Sequence, residues 1–305
     1  MEFKPAILPH GPPAFKSKVA AVSSREENVT SNRPARPEFP VLLYHKVDSR
    51  FEWGGTWVTP SQFKRHLLHL LGRGYRFLTL EELLRPDAHP VKSAALTFDD
   101  GYLALKDFAL PFLNSLGIPA SVFVVTGFVG RKNLWDVNVG WRRFEHMDWP
   151  DIEEAAGRGT RFHSHTHTHR DLTRLGPGEL AEELALSKQT LESRLGQSAT
   201  YLSYPFGIYN ATVARGARDA GYEAAFTLFR NAAGDVDHRY SIERVAVYRI
   251  DTPGSLRRKL EGGVGGGIER AKCRAINWCA RGTPVAKRLL RLADDRFGRT
   301  DLKEA

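Results

Sequence analysis

Ala94-Ala95-Leu96-Thr97-Phe98-Asp99-Asp100-Gly101-Tyr102 decides how this chain folds. An apolar run ending in two adjacent carboxylates and a glycine predicts a buried strand. Such a strand delivers both acids to its carboxyl-end rim, where α/β folds place their sites. Adjacent side chains on a strand point to opposite faces, so the two acids take different roles unless the chain bends at Gly101. One can hold a metal while the other faces a reacting water. Two like charges this close raise the pKa of one acid unless a cation or strong donors lie between them. A partner is therefore expected elsewhere in the chain.

Arg161-Phe162-His163-Ser164-His165-Thr166-His167-Thr168-His169 offers one. In a single helical turn His165 and His169 share a face, whereas an extended chain aligns all four histidines on one side. Two imidazoles and one carboxylate leave a coordination position open, which is the composition of a catalytic rather than a structural zinc site. Plainer readings exist for both motifs. The acid pair also suits a phospho-acceptor or magnesium pocket, the histidines an adventitious metal site, and His163 and His167 a surface or supporting role.

Working outward, Pro40-Val41-Leu42-Leu43-Tyr44 reads as a short buried strand with His45 at its end, either a functional group on the rim or a packing residue beside the tyrosine. Thr59, Pro60 and Gln62 mark a helix start with a capping box, and the helix runs to Gly72. Phe63, Leu67, Leu70 and Leu71 form its apolar stripe, with His66 and His69 facing solvent. A strand at Tyr75–Leu78 and a short helix at Thr79–Leu83 precede the acidic strand. After it come a helix at Ala109–Leu116 closed by Gly117, a strand at Pro119–Val125, and a long loop from Gly127 to Asp148. Trp135, Trp141 and Trp149 in and beside that loop are either core staples or sugar-stacking platforms. Further on are a helix at Gly178–Leu195, a strand at Thr200–Tyr204 stopped by Pro205-Phe206-Gly207, a helix at Ala211–Ala220, a strand at Ala224–Thr227 and a last strand at Ile242–Tyr248. The alternation predicts a β/α barrel of fewer or less regular units than eight.

At 305 residues with 42% hydrophobic and 26% charged content, the chain is long enough for one enzyme-sized core. The net charge of +9 is concentrated: Arg257 to Arg299 holds twelve Lys/Arg against four Asp/Glu. That segment lacks the interleaved aromatics of a single-strand nucleic-acid binder, so no nucleic-acid partner is expected. Cys273 and Cys279 are too far apart for a CxxC site. No run reaches the ~18 apolar residues of a membrane span, and the proline-broken N-terminus lacks a secretory core, which makes a cytoplasmic protein the expectation. The chain divides into a loose arm at 1–38, a barrel at 39–260, and a segment at 261–305. That last segment holds a glycine-rich hinge at Gly262–Gly267 and basic helices at Ile268–Arg281 and Pro284–Phe297, which pack on the barrel or touch an anionic membrane peripherally.

Thr97-Phe98-Asp99-Asp100, Ser164-His165-Thr166-x-x-His169 and Tyr204-Pro205-Phe206-Gly207 resemble, in this order, the motifs of the NodB-like polysaccharide deacetylases, a carbohydrate esterase family. The likeness spans about Phe39 to Tyr248. The Pro40–His45 stretch and Arg244-Val245-x-Val247 look like a subgroup that includes poly-N-acetylglucosamine deacetylases. The resemblance implies a distorted, incomplete (β/α) barrel and a divalent metal, Zn2+ ahead of Co2+, Ni2+ or Mn2+. It implies Asp99 as catalytic base and Asp100, His165 and His169 as metal ligands. It also implies a substrate and oxyanion wall at Tyr204, Pro205 and Phe206, with the Phe206 backbone N–H as the donor. Many members carry an arginine where Ser203 stands and a late Leu-x-His that supplies the general acid; neither is visible here. His45 is the replacement acid, with His238 the second choice. The implied partner is an acetylated amino-sugar oligo- or polysaccharide, deacetylated to a free amine and acetate. Another C–N amide or an O-acetyl substrate, or an inactive glycan-binding barrel, is the alternative.

Overall fold

The computed structural model describes residues 40–50, 55–85, 89–133, 144–228, 236–261, 267 and 269. The 1–38 arm, Trp135, Trp141, both cysteines, most of the glycine hinge and, apart from Glu269, the two basic helices lie outside them. Strand β1 (Val41–Tyr44) leads into a small ribbon of β2 (Lys46–Val47) and β3 (Trp57–Val58), then α1 (Pro60–Gly72), β4 (Arg76–Leu78), α2 (Leu80–Leu83) and β5 (Ser93–Phe98). There follow α3 (Leu110–Ser115), β6 (Ser121–Val124), α4 (Trp149–Gly157), β7 (Arg161–Ser164), α5 (Pro177–Leu195), β8 (Tyr201–Ser203), α6 (Ala211–Asp219), β9 (Ala224–Thr227), β10 (Ile242–Glu243), β11 (Val245–Ala246) and α7 (Pro253–Glu261).

The main sheet is parallel throughout and runs β10-β9-β8-β7-β6-β5-β1-β11, with β4 beside the first half of β5. Its closure is unusual. The segment expected as one strand from Ile242 to Tyr248 is instead two short strands, one paired to β9 and the other to β1. One stretch of chain thus joins the two edges of the sheet, and Arg244 sits at the step between them. This is the incomplete β/α barrel that the alternation predicts, its two end strands joined through the chain rather than by a ladder between them.

Alternation along the strands sorts the core. Val41, Ala95, Phe123, Tyr201, Ala224, Phe226 and Ile242 meet inside the barrel. The opposite parity, including Leu42, Leu96, Phe98, Val122 and Phe162, packs outward beneath the helices. Both faces are therefore apolar, as for strands covered on each side. The inward parity at the strand ends gives Ser203, the last residue of β8, and, one residue beyond a strand, His45, Asp99, His165 and Arg244. The barrel lumen thus brings to one mouth residues spread over two hundred positions of sequence.

Several local expectations change in the folded chain. Thr59 caps α1 by accepting the Gln62 N–H at 3.2 Å, but the Gln62 amide donates to the carbonyls of Arg249 and Asp251 and completes no capping box. His66 is fully buried: its Nε2–H donates to the Asp251 carbonyl at 2.9 Å, and its Nδ1 accepts from the Tyr44 hydroxyl at 3.2 Å. It stands three residues after Phe63 and four before Leu70, on the stripe rather than opposite it. Trp149 opens α4, a helix absent from the sequence reading and capped by Asp148 with a reciprocal Asp151 contact. The indole packs on the core beneath Arg194, so it is a staple. Among the described residues no helix is long and apolar enough to cross a membrane.

Candidate active site

Asp99 continues the ladder of β5, its N–H donating to the Tyr44 carbonyl at 3.0 Å, so its side chain keeps the inward direction. The next two residues leave the strand in left-handed conformation, Asp100 at φ 69° and Gly101 at φ 69°. The bend thus falls one residue earlier than expected, and it turns Asp100 toward the histidines rather than away from them.

Asp99 is 3% exposed and held by a fork: Arg244 Nη1 donates to Oδ1 at 2.8 Å and Nη2 to Oδ2 at 2.6 Å. The Ser203 hydroxyl donates to Oδ2 at 3.0 Å while accepting from Arg244 Nη2 at 2.7 Å. Burial by itself would push the Asp99 carboxyl up, but the charges of Arg244 and His165 and the guanidinium hydrogen bonds bring it down to about 2. The guanidinium rests on Phe123 and Phe226, at 5.2 and 5.8 Å from the ring centroids. The arginine that is absent at Ser203 thus arrives from the closure step on the far side of the barrel. Its signal in the sequence was a lone charge on the inward parity of an apolar segment, a position that arginine occupies only when paired.

The histidine segment is neither of the two shapes considered for it. β7 ends at Ser164, and the chain then coils through left-handed Thr166 (φ 67°) and His169 (φ 57°). His165 donates from Nδ1 to the Ser203 carbonyl at 2.8 Å, which fixes the tautomer and leaves Nε2 as the free lone pair. That Nε2 lies 3.6 Å from Asp100 Oδ1, and His169 Nε2 lies 3.5 Å from the same oxygen. The donor atoms of Asp100, His165 and His169 all fall within 4.8 Å of one another, and all three residues are buried. Burial lowers the His165 pKa, against the pull of Asp99, and so keeps the ring in its ligating form. Two imidazoles and a carboxylate converging on one point, with a second carboxylate 3.8 Å from His165 Nε2, fit a divalent metal with room for another ligand.

His163 points into the lumen below, its ring against Phe123 and Tyr201, and burial first, then Arg161 and Lys188, pushes it down to about 3. His167 pairs with Thr126 Oγ1 at 2.9 Å on the outside of the loop. Neither belongs to the donor set. His45 follows the inward parity of β1. Burial lowers it to about 4 despite the attraction of Asp99, with Arg244, Lys46 and His165 adding to the fall. His238 lies exposed in a short turn before β10.

In Tyr204-Pro205-Phe206, the Tyr204 side chain faces away from the mouth, stacked on Tyr209 and donating to the Tyr240 carbonyl at 3.0 Å. Only its backbone is left to act in a substrate wall. Phe206 adopts φ 58° and lays its ring against His169, centroids 4.7 Å apart. His146, which the sequence reading passed over, donates from Nδ1 to the Asp100 carbonyl at 2.8 Å and stacks on Tyr102.

The family model described as polysaccharide deacetylase matches residues 87–225. YxkH of Bacillus subtilis strain 168, which carries the same family description, is 30% identical over 241 residues, covering 76% of this chain and 80% of its own. A poly-beta-1,6-N-acetyl-D-glucosamine N-deacetylase of Staphylococcus aureus strain MRSA252 is 26% identical, over 62% of this chain and 67% of its own. Among solved structures, the Streptococcus pyogenes deacetylase PplD, in complex with acetate, superposes with TM-score 0.63 at 26% identity, over 73% of this chain and 98% of its own. IcaB from Ammonifex degensii does so with TM-score 0.59 at 29% identity, over 72% and 94%.

Proposed function

The chain belongs to the polysaccharide deacetylase family, and from that premise we propose that it hydrolyses N-acetyl groups on the amino sugars of a glycan, yielding acetate and a free amine. Asp100, His165 and His169 would hold the metal, with Zn2+ the best match to two imidazoles and one carboxylate. When bound there, such an ion supplies Lewis acidity, polarising the acetyl carbonyl and making a nearby water more acidic.

The chain's own residues do the rest. Asp99 accepts the proton of the attacking water at a carboxylate oxygen. The Arg244 fork and the Ser203 hydroxyl keep that carboxylate ionised and aimed into the lumen. The backbone N–H of Phe206, a residue in left-handed conformation whose ring lies against His169, would meet the oxyanion, a donor worth roughly 3 to 4 kcal/mol. The proton that Asp99 takes from the water would pass to His45, and the imidazolium so formed would give it to the departing amine, leaving both groups as they began. With burial holding its pKa low, His45 works as a shuttle that is neutral at rest rather than as an acid charged beforehand.

The observation that carries this reading is the convergence of Asp100, His165 and His169 on one point beside an Asp99 locked by Arg244. Metal analysis of the purified protein, coupled to acetate release from a panel of acetylated chito-oligosaccharides and poly-N-acetylglucosamine fragments, tests it. One equivalent of metal and release from at least one glycan are expected, with both lost in His165→Ala. Metal-free protein that releases acetate at the same rate would refute it.

A further inference from the structure

The loop carrying His165 and His169 contains two left-handed residues, one of them a β-branched threonine. Such conformations persist only where the surroundings hold them. Following the backbone N–H groups through the loop shows what does so. His165 N–H donates to the Val124 carbonyl at 2.9 Å, Thr166 N–H to Ser164 Oγ at 3.1 Å, and His169 N–H to Thr166 Oγ1 at 3.1 Å. The two between them, His167 N–H and Thr168 N–H, both donate to a single atom, Glu183 Oε2, at 3.0 and 2.9 Å. The other Glu183 oxygen accepts from the Thr168 hydroxyl. On the opposite side of the loop, the Thr166 and His167 carbonyls accept from Thr126 N–H and Gly127 N–H at 3.2 and 2.8 Å.

Glu183 lies on α5 and is 6% exposed. All three of its described hydrogen-bond donors belong to the ligand loop, which suits an acceptor-only carboxylate. One turn further along α5, Ser187 Oγ meets Ser164 Oγ at 2.8 Å, and Ser164 Oγ is the acceptor for Thr166 N–H. Two side chains four residues apart on one helix thus reach the loop at its start and at its middle. We infer that Glu183, seconded by Ser187, is the positioning residue of the metal-binding loop: its carboxylate sets the coil that brings His165 and His169 to the same side of Asp100. This rests on the metal-site reading given above and adds to it a helix that donates no ligand.

The test is Zn2+ affinity of the metal-stripped full-length chain, measured by competition with a chromophoric chelator, with no substrate present. Glu183→Ala is expected to weaken Zn2+ binding by about tenfold or more, the usual scale for residues that orient ligands. Glu183→Gln, which keeps an acceptor oxygen for the two N–H groups, should recover part of that loss. Leu191→Ala, a buried cavity variant on the same helix, should lower the melting temperature while leaving affinity unchanged. Equal affinity in Glu183→Ala and wild type, or an equal drop in Leu191→Ala, would overturn the inference while leaving the functional reading standing. If Glu183→Ala yields no folded protein, the Glu183→Gln titration decides: wild-type affinity there counts against the inference, and an intermediate value supports it. A wild-type chain that takes up no Zn2+ overturns both.

Discussion

Replacing Arg244 with methionine keeps its volume but leaves Asp99 ionised, 3% exposed and without its countercharge. Removing one partner of a buried ion pair costs about 3–5 kcal/mol, a change of roughly 10²- to 10⁴-fold in the folding equilibrium. The pKa of Asp99 gives an independent bound. Its fall from an ordinary 3.8 to about 2 corresponds to approximately 2 to 3 kcal/mol of stabilisation at neutral pH. Because the folded value is the lower one, that stabilisation is present above about pH 4 and lost as the pH drops through about 2. The variant lacks it at every pH, so its deficit relative to wild type should narrow in acid. Urea unfolding of the metal-stripped protein measures both quantities. The decisive comparison is a double-mutant cycle with Asp99→Asn. Either single change leaves a buried charge without its counter-ion, whereas Asp99→Asn with Arg244→Met leaves no unpaired charge, so the double variant should lose less than the two singles together. Additive losses, or a deficit constant from pH 7 to pH 3, would refute the fork as the device that keeps the base ionised.

Other expectations concern the chemistry and the barrel wall. Asp99→Asn should retain metal stoichiometry but lower acetate release by 10² or more, the scale of a lost general base; elemental analysis and a coupled acetate assay check the two halves separately. His45→Ala should slow turnover under saturating substrate with metal content unchanged, and a rate near wild type would move the proton donor elsewhere. His66→Ala takes from the buried Tyr44 hydroxyl its His66 partner and from the Asp251 carbonyl one of its two side-chain donors, leaving that of Gln62. It should cost about 2–4 kcal/mol in thermal or urea unfolding, whereas a surface histidine would cost almost nothing.

Much was readable from residues alone, and the reason is local. Strands covered on both faces must be apolar throughout, so Ala94–Phe98, Val41–Tyr44 and Ser121–Val124 stand out in the sequence. The acids and histidines sit at strand ends, where their spacing is a property of short segments. The helix at Trp149–Gly157 was hidden by its tryptophan, which looked like part of a surface loop until packing against Arg194 and the core gave it a side. His66 was misjudged from its polar neighbours although its helical period placed it with Phe63 and Leu70.

What the sequence determined by itself was the inventory: alternating strands and helices, a pair of carboxylates on one rim, and two imidazoles able to join one of them. What only the tertiary structure decided was which distant groups complete the site. Arg244 reaches Asp99 because Ile242–Ala246 splits to join both edges of the sheet, and no local pattern encodes a closure made between strands that far apart in the chain. The choice between helical and extended histidines was likewise settled from outside. Glu183 and Ser187 on α5, with the Thr126–Gly127 turn, supply the hydrogen bonds that hold left-handed Thr166 and His169, conformations the segment's own propensities disfavour.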